Sequence, residues 1–446
     1  MPEKLPMKFF LRCLFALTSG LVARAAEPAA ENVVVIDSLD ALRRYAAKDN
    51  VSVRLKPGTY RLDAATAQRF LRFTGHDSHY DLHGVKLLID TKLFQQRYPR
   101  DGAENFYCAI DLVGDRIIFE GLTTENYGEL PGIQSRNKII NIGGSGVVLR
   151  DIDLTTSGSS PWGYGSLYGI AGGDVRKMNG IRIGWPAVGT KLINCRVHMR
   201  AMGHGIFVQG AVDTVIADCH VDGRLRPTNE ILAEKSGYAF ARGFKAKDRG
   251  YSEGVALGAD GEILPDEMLA LSEDGIRLYP SGSGSHPTGA TTIRDCTVRQ
   301  MRRGICTGLG SAADRVINCE VRDCVAAAFN IGGGDVLERC RADAKYAEAL
   351  SCPYPKSHDA KVDLELLDSR GGLANNLVAT INGQNHDVRL HTSDPAFIPP
   401  GMVIELATHR GYAHYQRGEV RADAITLRNA TPAKIVPNAA TALATK

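Results

Sequence analysis

Residues 192–210 read LINCRVHMRAMGHGIFVQG, and the way this stretch returns along the chain decides the fold. It holds one complete unit: a strand ending at Cys195-Arg196-Val197, a short polar turn, and a second strand opening at Gly205-Ile206-Phe207-Val208. Cysteine returns in the same setting at Cys219, Cys296, Cys319 and Cys340, so successive copies stand 24, 77, 23 and 21 residues apart. The Gly-Ile opening returns at Gly180-Ile181, Gly275-Ile276 and Gly304-Ile305. A fixed period of about two dozen residues, once lengthened by an insertion, marks a solenoid.

The repeating unit is built of strands. Each copy carries two runs of four to six residues rich in Ile, Val and Leu, alternating with polar partners and separated by Gly, Asn, Asp and Ser. That is the period-two pattern of half-buried strands, and no copy has room for a crossover helix. Successive strands must then coil directly onto one another, which gives a parallel β-helix with coils about 4.8 Å apart and equivalent residues in straight ladders. The expected class is all-β: one β-helix with a short N-terminal capping helix and two long loop insertions. Five cysteines share one repeat position, so they are expected to be reduced and buried, packing as small apolar groups. Cys108, Cys306, Cys324 and Cys352 lie off that ladder, and their pairing stays open.

Residues 1–25 read as a secretory signal, with Lys4 and Lys8 before FFLRCLFALTSGLV and Ala23-Arg24-Ala25 as a small-residue cleavage site. No later run is long and apolar enough to span a bilayer, so the expectation is a secreted or periplasmic protein with no membrane partner once the signal is removed. The formal net charge of +3 is too small to argue for nucleic acid. Ser38 reads as the N-cap of a short amphipathic helix that covers the first coil. The β-helix domain is placed at 26–430, with loops projecting at about 157–178 and 223–272, and 431–446 as a C-terminal tail ending in disorder. Long excursions from a rigid scaffold are where sites are usually built.

Aligning the copies on the Gly-Ile strand turns sequence into a surface map. The residue after the aligned Ile is Asp111, Asn141, Arg182, Phe207, Arg277, Cys306 and Asn330 on successive copies. Its neighbours point inward, so this column points outward. The residue before the Gly is Lys138, Asn179, His204, Asp274 and Arg303. Five polar residues at one repeat position do not suit an apolar interior. Together the columns predict one charged surface patch flanked by both insertions.

The repeat, the signal and the helix cap resemble the right-handed parallel β-helix superfamily of pectate lyases, polygalacturonases, alginate-type lyases and their epimerase relatives, over most of residues 35–430. Gly203-His204-Gly205-Ile206 is similar to the Gly-His-Gly motif of polygalacturonases, in which the histidine supports paired catalytic aspartates. On the two preceding coils this chain has Asn179 and Arg182 where that hydrolase family needs acids, and its Arg-Ile-Lys motif is matched only by Arg277. Inverting hydrolysis wants two carboxyls across a water. β-Elimination on a uronate chain instead needs a carboxylate neutralised, the neighbouring proton removed and the leaving oxygen protonated. Guanidinium groups suit the first task; histidine, or a Lys or Arg with a depressed pKa, suits the second, and Tyr or His the third.

His204, Arg277, Asp274 and Arg303 are therefore the candidate catalytic residues, with Asp274 either orienting His204 or joining a cation site. Lys138, Arg182, Asn179, Phe207 and Gln209 are candidate substrate contacts, joined by Arg224 and Arg226 from the basic 223–272 insertion and by Trp162 and Tyr164 as rings to stack on sugars. Calcium, which some members of the superfamily use, would need clustered Asp and Glu, and no convincing set is legible, so no cofactor is expected. The reading is a secreted enzyme acting on an acidic polysaccharide or oligosaccharide, by lyase or epimerase chemistry. A polygalacturonase-like glycoside hydrolase using Asp274 with Glu273 or Asp218 is the first alternative, and a non-catalytic glycan-binding β-helix the second.

Overall fold

The computed structural model describes residues 33–63, 71–95, 108–131, 137–169, 174–247, 254–310, 312–372, 376–416, 418–438 and 441–443. The leader expected at 1–25 lies outside the described residues. Each regular coil contributes strands to successive faces of a tube, and every ladder between coils is parallel, as in Val197↔Val221, Val221↔Val298 and Val298↔Val321. One face is a 12-stranded sheet running from Leu71–Phe73 to Lys434–Pro437. The protein is a single parallel β-helix.

The recurring cysteine sits just after a one-residue corner. Asn194, Asp218, Asp295, Asn318 and Arg339 each take a positive φ, between 51° and 56°. Asn and Asp tolerate that conformation better than most side chains. The corner residues also bond from coil to coil: Asn194 Nδ2 donates to Asp151 Oδ1 at 2.6 Å and Asn318 Nδ2 to Asp295 Oδ1 at 2.7 Å. The next residue turns inward, so the five ladder cysteines stack inside the tube, and the Cys296 backbone N–H donates to Cys319 Sγ at 3.4 Å. All nine described cysteines are buried.

The glycine of the Gly-Ile motif is a matter of space. A Cβ on Gly205 would lie 2.5 Å from Val221 and 2.8 Å from the Gly275 carbonyl; one on Gly275 would lie 2.3 Å from Val298, and one on Gly304 2.3 Å from Val321. The strand approaches the opposite wall so closely there that no side chain fits.

The helix Leu39–Tyr45 caps the first coil, with the Ser38 side chain accepting from Ala41 N–H at 3.3 Å and Leu42 buried beneath it. The two insertions do not project separately. Tyr164, Leu167 and Tyr168 from the first pack with Ile231, Ala239, Val255, Ile263 and Leu269 from the second, forming a satellite core of their own. At the other end pairing outruns the expected tail: Lys434–Pro437 continues the 12-stranded sheet against Val403–Leu406, and Thr441–Leu443 pairs with Ala422–Ala430.

Candidate functional site

Strand register assembles both polar columns. Asp111, Asn141, Arg182, Phe207, Arg277, Cys306 and Asn330 pair in succession along the 12-stranded sheet. Lys138 pairs with Asn179 and Asp274 with Arg303. Gly180 N–H to His204 O and Gly205 N–H to Asp274 O place His204 between them. The columns leave the apolar interior, yet they do not form the open patch that alternation predicts. Asp274 is 0% exposed, Arg303 and Lys138 1%, Arg182 2% and His204 5%. A second layer lies over them: the Tyr412 ring covers the Arg303 guanidinium at 4.5 Å, and the Tyr279 ring covers Arg277 at 4.5 Å. Asp274 and Arg303, on adjacent rungs, neutralise each other, so this pair does not need water.

Asp274 is the hub of this layer. Its Oδ1 accepts from Arg303 Nε at 2.8 Å and Arg302 Nη2 at 3.1 Å, and its Oδ2 from Arg303 Nη2 at 2.8 Å and Arg277 Nη1 at 2.6 Å. Burial alone would raise its pKa, but Arg302, Arg303 and Arg277 hold it well below the carboxylate range. Glu273 beside it is held low in the same way, against burial, by Lys177 at 2.5 Å, His204 and Arg302. Desolvation pushes His204 down to about 3, so its ring is neutral. His204 Nδ1 accepts from the Asp274 backbone N–H at 3.3 Å, which leaves Nε2 to donate to Tyr279 Oη at 2.7 Å. Both ring nitrogens are therefore occupied by protein.

The candidate substrate contacts divide. Arg182 Nη1 donates to Asn141 Oδ1 at 2.9 Å and Asn141 Nδ2 to Asp111 Oδ1 at 2.8 Å, a polar ladder over three coils. Asn179 bridges Asn137 O and His204 N–H at 2.8 and 2.9 Å. Phe207 is buried, tilted against His204 and edge-on to Tyr279, with ring centroids 5.8 and 5.9 Å away, and Gln209 is half-buried at the end of the same strand. Arg224 is exposed. Arg226 is turned inward as a strut, donating to Gly163 O at 3.0 Å and Glu234 Oε1 at 2.8 Å. Tyr164, only 6% exposed, bonds Glu234 at 2.8 Å and packs edge-on to Tyr168. Trp162 is half-buried against the same satellite core. The rings expected to stack on sugars instead hold the two insertions together, because a satellite core of this size needs its aromatic area. The insertion's cations are also partly neutralised, Arg242 and Lys247 by Asp174 at 2.7 and 3.4 Å.

Among the described residues, hydrogen-bond donors close to this network lack an acceptor at Arg277, Asn330 and Tyr354. Arg277 Nε is one; its side chain keeps 12% exposure at the edge of the cluster. The Cys306 thiol bonds Asn330 Oδ1 at 3.1 Å, leaving Asn330 Nδ2 without a partner, and Tyr354 Oη is likewise unpartnered. A Cβ on Gly308 would lie 2.7 Å from the Tyr354 ring and 2.8 Å from Asn330 Oδ1, so the last two are neighbours around a glycine. Stranded donors of this kind call for an acceptor-rich ligand.

Farther along the same face is a cleft of about 630 Å³, lined by Glu267 from the insertion, Tyr346 and Glu348 from the coils, and Arg410, Gly411 and His414 from the segment that follows Val403–Leu406. Glu348 forms its floor. Its Oε1 accepts the Tyr412 backbone N–H at 2.8 Å, Oε2 has no partner, and burial lifts its pKa to about 7. Sequence reasoning did not single out Glu348. Phe329↔Leu350 places it opposite Ala327, which pairs with Arg303, so it is the next polar member of the His204–Asp274–Arg303 column. Following the rungs past the last Gly-Ile copy would have found it.

Among the described residues, Asp81, His83 and Glu120 are close enough to share an ion. Their carboxylates already face Arg54, His79 and Arg150, and a hard oxygen-seeking cation such as calcium gains little from that set.

Fold and site together define a parallel β-helix with one polar, partly roofed sheet face. No family model matches the sequence, and no curated relative does. Among solved structures the chain is similar to an alginate lyase from Paenibacillus sp. str. FPU-7, at 10% identity over 92% of this chain and 99% of that one, with a TM-score of 0.37. It is similar also to endo-xylogalacturonan hydrolase from Aspergillus tubingensis (10%, 93% and 99%, TM-score 0.38) and to a polygalacturonase from Erwinia carotovora ssp. carotovora (8%, 92% and 96%, TM-score 0.38). Among the described residues no helix is long and apolar enough to cross a membrane.

Proposed function

We propose that the protein is an exported carbohydrate-active enzyme that works on an acidic, uronate-containing glycan, by lyase or epimerase chemistry. The observation that carries this reading is the set of stranded donors, Arg277 Nε, Asn330 Nδ2 and Tyr354 Oη, on the polar face of the sheet. A guanidinium, with an amide two rungs farther along the sheet and a phenol beside that amide, offers sugar carboxylates charge and directed hydrogen bonds. Arg277 is anchored through Nη1 on Asp274 and backed by Tyr279, so it reaches the ligand already oriented. Arg302, Arg303, Asp274 and His204 support it from beneath.

A second reading, glycoside hydrolysis, is favoured by one further observation: Glu267 and Glu348 line the same cleft and burial raises both, which is the inventory of an acid and a base across a scissile bond. A panel of purified polysaccharides, read by ultraviolet absorbance and by reducing ends, separates the two. Acidic polymers are expected to yield new ultraviolet-absorbing unsaturated ends, and neutral ones none. Reducing ends without that absorbance would point to hydrolysis; binding without either product would leave a glycan-binding protein and overturn the enzymatic reading.

A further inference from the structure

A buried carboxyl of the polar face that borders a cavity stands outside the ionic cluster. Glu348 is 1% exposed, yet it borders the cleft of about 630 Å³, a size within the range of small-molecule sites. It is held rather than mobile: Tyr412 N–H fixes Oε1 at 2.8 Å, and Gly411 lies so close that a Cβ there would come within 2.7 Å of both carboxyl oxygens. Oε2 alone has no protein partner. A buried carboxyl with one oxygen fixed and the other unanswered is costly unless something outside the fold uses it. On the insertion side of the cleft stands Glu267, whose backbone is pinned to Thr228 through N–H to Oγ1 at 3.1 Å and through its carbonyl at 2.9 Å.

We infer that the cleft takes the scissile linkage, with Glu348 as the proton donor to the departing oxygen and Glu267 as the base facing it. This deepens the reading of the protein as a glycan-cleaving enzyme and rests on it. In elimination the C5–H bond breaks and its proton passes to the Glu267 carboxylate. The electron pair becomes the C4=C5 double bond, the C4–O bond breaks, and the departing oxygen takes its proton from Glu348. Exchange with solvent then returns the proton from Glu267 and restores the one lost by Glu348, so no oxidant or co-reactant is needed. Arg277 and Asn330 stand two rungs apart on one sheet, with Tyr354 just past the end of the Leu350–Cys352 strand, and this donor set would hold a carboxylate of the same chain.

Burial holds Glu348 up at about 7, so it can carry a proton at neutral pH and yield it on demand. The charged and titratable groups around it are Glu267 and Asp266 from the insertion, Tyr346 on its own coil, Arg410 and His414 across the opening, and Arg303 beneath Tyr412.

The test uses the full chain with oligogalacturonate and oligomannuronate as probes. Glu348→Gln is expected to keep the wild-type circular dichroism spectrum and to bind the probe within about threefold of wild type. It should lose kcat by about 10²–10⁴, the usual worth of a general acid. The alkaline fall of kcat/KM near pH 7 should disappear, since that limb belongs to an acid that must be protonated. Glu348→Asp should retain a fraction of the activity with the limb displaced. A Gln variant within tenfold of wild-type kcat, or one that keeps the same limb, overturns the assignment while leaving the glycan reading standing. If the wild-type protein neither binds nor cleaves an acidic oligosaccharide, the glycan reading falls and this inference with it.

Discussion

Asp274→Ala is expected to lower the unfolding free energy by about 3–5 kcal/mol, the cost of leaving buried charge without its counter-charge. Three guanidiniums, Arg277, Arg302 and Arg303, converge on this one carboxylate, which is 0% exposed. Without it they face one another with Glu273 as the remaining nearby acid, and Arg302 lies 3.5 Å from that residue. Urea unfolding followed by far-ultraviolet circular dichroism reads the change as a shift in midpoint at constant slope. A loss under about 1 kcal/mol would mean that the guanidiniums find other partners and that the hub is not what seals this face. Replacing Arg303 with Met in the same variant is expected to return part of the loss, because a buried ion pair can be exchanged for apolar packing at little cost.

Glu348→Gln is expected to do the opposite at high pH. The folded-state pKa of Glu348, about 7, lies above its ordinary value of 4.5. The native state therefore binds more protons than the unfolded chain between those values, and stability drains away as pH rises through that window. Glutamine does not titrate, so the variant should match the wild type near pH 4 and exceed it by about 3 kcal/mol above pH 8, at 1.36 kcal/mol for each pKa unit. Melting curves at pH 4.5 and pH 8.5 check this. A variant no more stable than the wild type at pH 8.5 would show that the carboxylate is well accommodated and not held in a strained, reactive state. Stability given up at a single buried group is what a reacting group costs its fold.

The solenoid was legible because its signals are local and repeated. A cysteine after a polar corner and a Gly-Ile opening recur at fixed spacing, and parallel stacking turns spacing into contact, which is why the columns from Asp111 to Asn330 and from Lys138 to Arg303 pair as expected. Burial of those columns was not legible. It depends on Tyr279, which directly follows the Asp274–Leu278 strand and turns its ring over Arg277, and on Tyr412, which reaches Arg303 from a distant part of the chain. Trp162 and Tyr164 read as sugar-stacking rings because nothing in sequence joins the first insertion to the second, whereas in space Tyr164 bonds Glu234, 70 residues away. Glu348 escaped because its coil, AEALSC, has lost the Gly-Ile signature used to align the others, although its rung is intact. The last strand of the 12-stranded sheet, Lys434–Pro437, ends in a proline and has exposed residues throughout, so alternation has no buried face to report.

All of this rests on which residues stand on neighbouring coils, and an engineered disulfide reads that directly. Thr292 and Arg315 are register partners on adjacent parallel strands, and Val336 is the partner of Arg315 one coil farther on. Adjacent strands are about 4.8 Å apart, within reach of a disulfide, whereas two coils are about 9.6 Å apart and beyond it. The Thr292→Cys/Arg315→Cys variant should oxidise to a single cross-linked species while the native cysteines stay reduced, and Thr292→Cys/Val336→Cys should remain a dithiol under the same conditions. Cross-linking of the second pair and not the first would contradict the register, and with it the stacked face on which Arg277 and Glu348 stand.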